Sequence, residues 1–330
     1  MIRNRQYLTT PLNVEGDATG TTELVNTYSN WWDAHKASLN HVGKVDIEWS
    51  DNDTVIMLTW GHISQMRIEI AEWSRLVRSH LTSLWPRICK ELIPSSESGF
   101  NVDALEDDVF SNIGVFDRPA NARRLRPHRE HLLSTLGLEL QDDGSVVGDI
   151  TSQKATEFLA KVEKLRRHYL TACIHSCGCP ARAFQIALML FNQVAGDTKG
   201  RHRNLRLIHG IWVWGNFVAK QDDSVEYPSY LRLPPQASLP TVYLFGVVRY
   251  VELVILKKFK IPTHEFAHFM FVKASDLTIK RKRFTLKLVY TERRVNACLR
   301  EAPGLGVEIR VIRQLISAVI QKFYPHLIIG

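Results

Sequence analysis

From Trp31 to Ile93 the apolar positions recur at helical spacing, and Ile63, Met66, Ile70, Trp73, Val77, Leu81, Leu84 and Ile88 keep to one stripe for about seven turns. The stripe stops at Pro94-Ser-Ser, so the spacing predicts a long helix in a helical N-terminal region. Residues 1–24 are polar, rich in Thr, Asn and Gly, and predict a frayed arm. Between 97 and 150 periodicity fails. Glu106-Asp-Asp, Asp117-Arg-Pro, a basic cluster from Arg123 to Arg129 and Asp142-Asp-Gly-Ser predict a connecting segment with one short helix around His131 to Leu136.

Helical spacing returns at 151. Thr151 or Ser152 is placed as an N-cap, followed by Ala155, Phe158, Leu159, Val162, Leu165, Tyr169 and Leu170 on the apolar side and Lys154, Lys161, Lys164, Arg166 and Arg167 on the polar side. Gly178-Cys-Pro-Ala-Arg182 predicts a turn, and Ala183 to Val194 a second helical segment. Leu205, Leu207, Ile211, Val213, Phe217 and Val218 flank His209-Gly210 in the manner of a β-hairpin that ends at Ala219-Lys220. Beyond Pro234-Pro235 two apolar helices are expected, Val242 to Phe259 and Leu305 to Tyr324, the latter burying Ile309, Ile312, Leu315, Ile316, Val319, Ile320 and Phe323. Between them, Phe284 to Tyr290 has a β-like flavour. The fold class expected is mainly α: a helical N-terminal domain plus an α-rich domain with a small hairpin.

Charge divides the chain more sharply than hydrophobicity does. Residues 1–150 carry 14 basic and 22 acidic side chains, net −8, whereas residues 151–330 carry 28 and 12, net +16, which together make the chain's +8. A surface of that sign attracts polyanions, nucleic acid first and anionic lipid next. With 45% apolar residues over 330, the chain has enough to bury a core, and disorder and low-complexity classes are excluded. The organisation expected is a flexible arm over 1–30, a helical acidic domain and connector over 31–150, and a basic domain over 151–330. Cys89, Cys173, Cys177, Cys179 and Cys298, with no basic-then-apolar leader, point to a reducing compartment. The stretch Val242 to Leu256 contains Arg249 and Glu252 and falls short of the ~20 residues of a membrane span, so a soluble protein is expected.

Two clusters could hold a metal. His264-Glu-Phe-Ala-His268 matches H-E-x-x-H, a spacing that on a helix sets both imidazoles on one face for zinc with Glu265 as general base; Glu292 is the candidate third ligand. Bulky Phe266, Phe269, Met270, Phe271 and Val272 crowd it, and zinc metallopeptidase activity stays an alternative. Cys173, His175, Cys177 and Cys179 lack paired C-x-x-C knuckles and read as small buried thiols, so no cofactor is expected. No G-x-x-x-x-G-K-[ST] occurs, which excludes an ATP-driven motor of the P-loop type.

The basic half also holds a dispersed set: Arg182 after a turn at a helix start, Lys220 at the hairpin end and Arg313 on the last helix. Brought together, they would clamp a phosphodiester. The segments Lys161-Val-Glu-Lys-Leu-Arg-Arg, Cys177-Gly-Cys-Pro-Ala-Arg182 continuing to Asn192, Arg203-Asn204 and Gly210 resemble the region that precedes the helicase in fungal telomere-linked RecQ-like helicase genes. Trp60 to Leu92, Phe100 to Asp117, Tyr230-Leu-Arg-Leu-Pro and Leu305 to Ile316 extend the likeness over roughly residues 40–325. The same region is distantly similar to the catalytic domain of tyrosine recombinases, whose first Arg box, hairpin Lys and second Arg box fall on Arg182, Lys220 and Arg313. Gln185 stands where that family has Glu, and Arg310 and Gln314 where it has His. Tyr324 follows Arg313 by only 11 residues, too soon for the family's nucleophile.

The resemblance implies an integrase-like domain of a mobile or subtelomeric element that binds duplex DNA in the nucleus without effective cleavage, with a helicase encoded separately as a partner and neither a membrane nor a small-molecule substrate. Phosphate contacts are expected from Lys161, Lys164, Arg166, Arg167, Arg201, Arg203, Lys280, Arg281, Lys282, Arg283 and Arg310. Besides the peptidase, the rival is a fragment without binding activity.

Overall fold

The computed structural model describes residues 45–60, 64–93, 101–108, 111, 113–178, 180–192, 203–219, 226–273, 289–302 and 306–323. The chain is mostly helical with small sheets, and it forms two compact units. The larger takes in Glu69–Gly215 and Leu231–Ile312, the smaller Met1–Ile68, Asn216–Tyr230 and Arg313–Gly330. The division expected near residue 150 thus falls inside the larger unit. The expected arm over 1–30 lies outside the described residues.

The smaller unit corrects the helix expected over its part of the N-terminal stripe. Strands β1 (Val45–Trp49), β2 (Val55–Trp60) and β3 (Ser64–Glu69) form a sheet in the order β1-β2-β3, and among the described residues the stripe is helical from Ile70. β1 and β2 are antiparallel, from Val45 opposite Trp60 to Trp49 opposite Ile56. Their turn is built by Asn52, whose Oδ1 accepts from the hydroxyls of Ser50 at 2.8 Å and Thr54 at 2.7 Å. Ile56 and Leu58 are buried while Val55, Met57 and Thr59 are half-buried, a period of two that wins over the period of 3.6 because β-branched and aromatic residues dominate here.

In the larger unit, α1 (Ile70–Leu92) buries Leu81, Leu84, Ile88 and Leu92. α2 (Pro119–Thr135) is longer than the short helix expected near His131 and starts with Pro at its first position, where no N–H is needed. β4 (Leu138–Leu140) and β5 (Val146–Gly148) form a hairpin over the Asp142-Asp-Gly-Ser turn. Next comes α3 (Ser152–Ser176), capped by Thr151, whose side chain accepts from the Lys154 N–H at 3.2 Å. It is followed by the short α4 (Ala183–Ala187).

β6 (Leu205–Ile208), β7 (Ile211–Ala219) and β8 (Glu226–Arg232) make a sheet in that order, with β6 and β7 antiparallel. The two-residue connection His209-Gly210 has φ of 47° and 74°, and positive φ at both central positions is what a hairpin of this twist demands. The apolar segment that follows is one run of helix: α5 (Ser238–Val242), a π-helical stretch over Tyr243–Val248, and α6 (Arg249–Lys258). Pro235–Lys258 is long and apolar enough to cross a membrane by length and composition, yet 78% of its apolar window is buried in the fold. Gly246 lies so close to α2 and the turn before it that a Cβ there would meet Phe116 of that turn at 2.8 Å and Leu125 of the helix at 3.1 Å, and its carbonyl accepts from Arg129 Nε at 2.9 Å. α7 (His264–His268), α8 (Glu292–Arg300) and α9 (Ile309–Phe323) complete the order, and the division between units falls within α9, after Ile312. Phe323, expected on the buried side of α9, is 44% exposed and meets Trp49 edge-on at 5.4 Å within the smaller unit.

The core of the larger unit centres on Tyr169, Trp214, Phe245 and Phe271 in edge-to-face contacts, with the Tyr169 hydroxyl bonded to Thr241 at 2.7 Å. Charge is built into it. Arg166, expected on the polar side of α3, is fully buried and donates to Glu252 at 2.5 Å and to the Val272 carbonyl at 3.1 Å. Arg249 lies 3.4 Å from the same carboxylate and donates to the Met270 carbonyl at 2.8 Å. Burial, reinforced by Arg166, pulls the Arg249 guanidinium down to about 9.

Arg203 is likewise internal, not a phosphate contact. It donates to both oxygens of Asp107, at 2.9 and 2.7 Å, and to the carbonyls of Ser111, Asp108 and Leu205. A guanidinium saturated in this way has no donor left for an outside anion.

Replacing Glu252 leaves two guanidinium groups buried against each other, so Glu252→Gln is expected to cost about 3–5 kcal/mol of stability. Urea denaturation followed by circular dichroism checks it; an unchanged midpoint would remove the triad from the account.

Candidate nucleic-acid interface

α3 runs for 25 residues because Thr151 satisfies its first turn and its apolar residues recur on one face: Ala155, Phe158, Leu159, Val162, Leu165, Tyr169 and Leu170 are all buried, as the spacing predicts. At about 100° per residue, Arg166 points inward while Lys164, Arg167, His168 and Thr171 share an opposite arc. Lys154, Lys161 and Lys164 are exposed along one side of the helix, with Glu157 the acidic residue among them. Arg167 is half-buried, donating to Glu163 at 3.0 Å and lying 3.5 Å from Glu301.

Where α3 passes α1 and the end of α8, a cleft of about 210 Å³ opens. α1 contributes His80, Ser83 and Arg87, at one-turn and two-turn spacing. α3 contributes Lys164, Arg167, His168 and Thr171, and the third wall is Cys298, Glu301 and Ala302. Arg87 Nη1 sits 3.2 Å from His168 Nε2. His168 is pulled down to about 4, by burial first and then by Arg87 and Lys164, so its imidazole is neutral at pH 7. His80 is lowered by burial and by Arg87. Burial pushes the Cys298 thiol up to about 11, so it stays protonated and is a poor nucleophile at neutral pH. The groups here are suited to holding an anion.

The dispersed set is divided between the two units and the residues outside the description. Arg182 is exposed at the N-cap of α4 in the larger unit, and its backbone N–H donates to Gln185 Oε1 at 3.0 Å, so Gln185 serves the helix start. Arg313 is half-buried in the smaller unit, and Lys220 lies outside the described residues, as do Arg201, Lys280, Arg281, Lys282, Arg283, Cys179 and Tyr324. Arg310 is exposed on the first turn of α9. In the motif that carries the resemblance, Asn192 donates to Asp117 at 2.5 Å, and Asn204 accepts from the Leu190 N–H and donates to the Gly215 carbonyl, both at 2.6 Å. These positions tie loops together inside the larger unit.

His264 and His268 lie with ring centroids 4.9 Å apart on α7, a five-residue helix. Among the described residues no group of three or more His, Cys, Asp or Glu side chains could hold a metal ion, so Glu292 does not join the pair. No family model matches the chain, and neither a curated protein nor a solved structure matches it. The recombinase-like resemblance therefore rests on the quoted motifs.

Sequence reasoning found Lys164 and Arg167 but missed Arg87, His80 and His168. The signal was present: polar residues at 80, 83 and 87 form a second stripe beside the apolar one on α1, and 164, 167, 168 and 171 do the same on α3. What the pattern lacks is which stripes face each other.

Behind His80, His175 is buried with neither ring nitrogen hydrogen-bonded, its ring centroid 6.4 Å from that of His80; burial, then His80, pulls it down to about 4. Unfolding returns it to its ordinary 6.5, so between these values the unfolded chain binds more protons and stability falls as pH drops from 6.5 toward 4. For His175 the loss at pH 5 is about 2 kcal/mol. Thermal midpoints at pH 7 and pH 5 are expected to diverge less in His175→Phe than in the parent; identical divergence would exclude this histidine as a source.

Proposed function

We propose that the chain binds duplex DNA through contacts to phosphates, without cutting it. The observation that carries the reading is the exposed row Lys154, Lys161 and Lys164 on α3, which covers about 15 Å of helix and ends at the cleft holding Arg87 and Arg167. The excess of 16 positive charges over residues 151–330 supports it, although Arg166, Arg203 and Arg249 are used internally. Contacts of this kind fix position on the duplex and release counterions, so affinity falls steeply with salt. The protonated Cys298 thiol and the short interval from Arg313 to Tyr324 favour holding over cleavage. In the recombinase-like form of this reading, nuclear and derived from a mobile or subtelomeric element, Arg182, Lys220 and Arg313 add a phosphate clamp and a separately encoded helicase supplies the motor.

Fluorescence anisotropy with a labelled duplex across a salt series tests it. Lys154→Ala and Lys161→Ala are each expected to lower the salt slope by about one unit, as are Arg182→Ala and Arg313→Ala where the clamp operates. Unchanged slopes in the lysine variants would overturn α3 as the interface, and unchanged slopes in both arginine variants would remove the clamp.

A further inference from the structure

We infer that the cleft between α1, α3 and α8 is a binding site for a phosphate monoester dianion. This goes beyond duplex binding and does not require it, because the ligand is a terminal phosphate group and not the diester backbone. Two sources share that chemistry: the phosphorylated end of a nucleic-acid strand, and a small phosphate ester or free phosphate.

Three observations carry the inference. The first is charge: Arg87, Lys164 and Arg167 line the cleft and Glu301 alone opposes them, leaving an excess of two positive charges for a group that carries two negative ones. Glu163 also pairs with Arg167 at 3.0 Å, but it is shared with Arg294 at 3.1 Å, and counting that carboxylate with its second guanidinium leaves the excess at two. Arg87 and Lys164 have no carboxylate within ion-pair distance among the described residues.

The second is donor chemistry. Arg87 and Arg167 present planar forks from opposite walls, Lys164 a mobile ammonium, and neutral His80 and His168 can each donate one N–H. Burial first, and then the neighbouring Arg87 cation, lowers both imidazoles, so they stand beside the cations of the cleft as neutral hydrogen-bonding groups.

The third is size. About 210 Å³ lies below the ~300–1,000 Å³ of sites for drug-sized ligands, which suits a phosphate with the first atoms of its ester arm. Glu301 is the competitor: its pairing with Arg167 at 3.5 Å is half-exposed, so a phosphate displaces it at little cost.

Isothermal titration calorimetry of the full chain with inorganic phosphate at pH 7.5, and with a single-stranded oligonucleotide carrying either a 5′-phosphate or a 5′-hydroxyl, tests the site. Phosphate binding is expected to weaken at least tenfold in Arg87→Gln and in Lys164→Met, and to tighten several-fold in Glu301→Gln. Preference for the 5′-phosphorylated strand, lost in Arg87→Gln, would assign the strand end as the source; phosphate binding with equal affinity for both strands would assign a small phosphoester. Lys161→Ala is expected to leave phosphate binding unchanged while lowering the duplex salt slope, which separates this site from the duplex interface. Absence of phosphate binding at millimolar concentration, or binding indifferent to Arg87→Gln and Lys164→Met, would overturn the inference. Circular dichroism establishes that the variants are folded; Arg87 and Lys164 are exposed, and neither substitution opens the core.

Discussion

The larger unit depends on a charged contact that water does not reach. Glu252 stands between Arg166 and Arg249, and none of the three is more than 1% exposed. Each ion loses its hydration on folding, a cost of several kcal/mol that is recovered only if the opposite charges and the carbonyls of Met270 and Val272 stay in place. The triad therefore specifies geometry more than it adds stability. It sets the rotation of α3 about its axis, because turning the helix would pull Arg166 away from its carboxylate. With Arg166 directed inward, Lys164, Arg167 and His168 are directed to the cleft by helical geometry alone.

The same arginines change what the charge asymmetry of the chain means. A basic half and an acidic half suggest one surface that attracts polyanions and another that repels them, yet part of the imbalance is consumed inside the fold. Arg203 from the basic half is saturated by Asp107 from the acidic run, and the Leu207 N–H joins the same carboxylate at 2.9 Å. An acidic run with poor periodicity looks like a solvated connector; here Asp107 is a buried counter-ion with no exposed side-chain surface. Composition counts charges and carries no information about which of them meet.

Legibility followed the strength of local signals. The cap and apolar face of α3, the hairpin at His209-Gly210 and the course of α9 through Ile312 were readable because capping, two-residue turns and amphipathic spacing act over a few residues. The strands before Ile70 were not, since Ile63, Met66 and Ile70 fit a helical stripe while the alternation of Ile56 and Leu58 fits a strand, and only pairing with β1 decides between them. Of the cleft, Lys164 and Arg167 were readable as polar-side cations, whereas Arg87 enters through contact with a helix 77 residues away in sequence. Arg166 was misread because a charged residue beside two others on a helix is ordinarily solvated, and its partner Glu252 lies 86 residues on.

The motif residues sharpen the distinction between scaffold and chemistry. Asn192, Arg203, Asn204 and Gly210 are each explained by a bond or a dihedral they supply within the larger unit. A pattern made of such residues speaks to how loops are tied, and the proposed binding to DNA draws on cations that the tying leaves exposed. Lys154, Lys161 and Lys164 meet that condition; Arg166 and Arg203 do not. In the cleft, cations fixed on two rigid helices face neutral imidazoles and a protonated thiol, so an anion that enters meets strong attraction and no activated nucleophile. In the function proposed above, attraction without an attacking group at this cleft is the physical basis for gripping phosphate while its ester bonds stay intact.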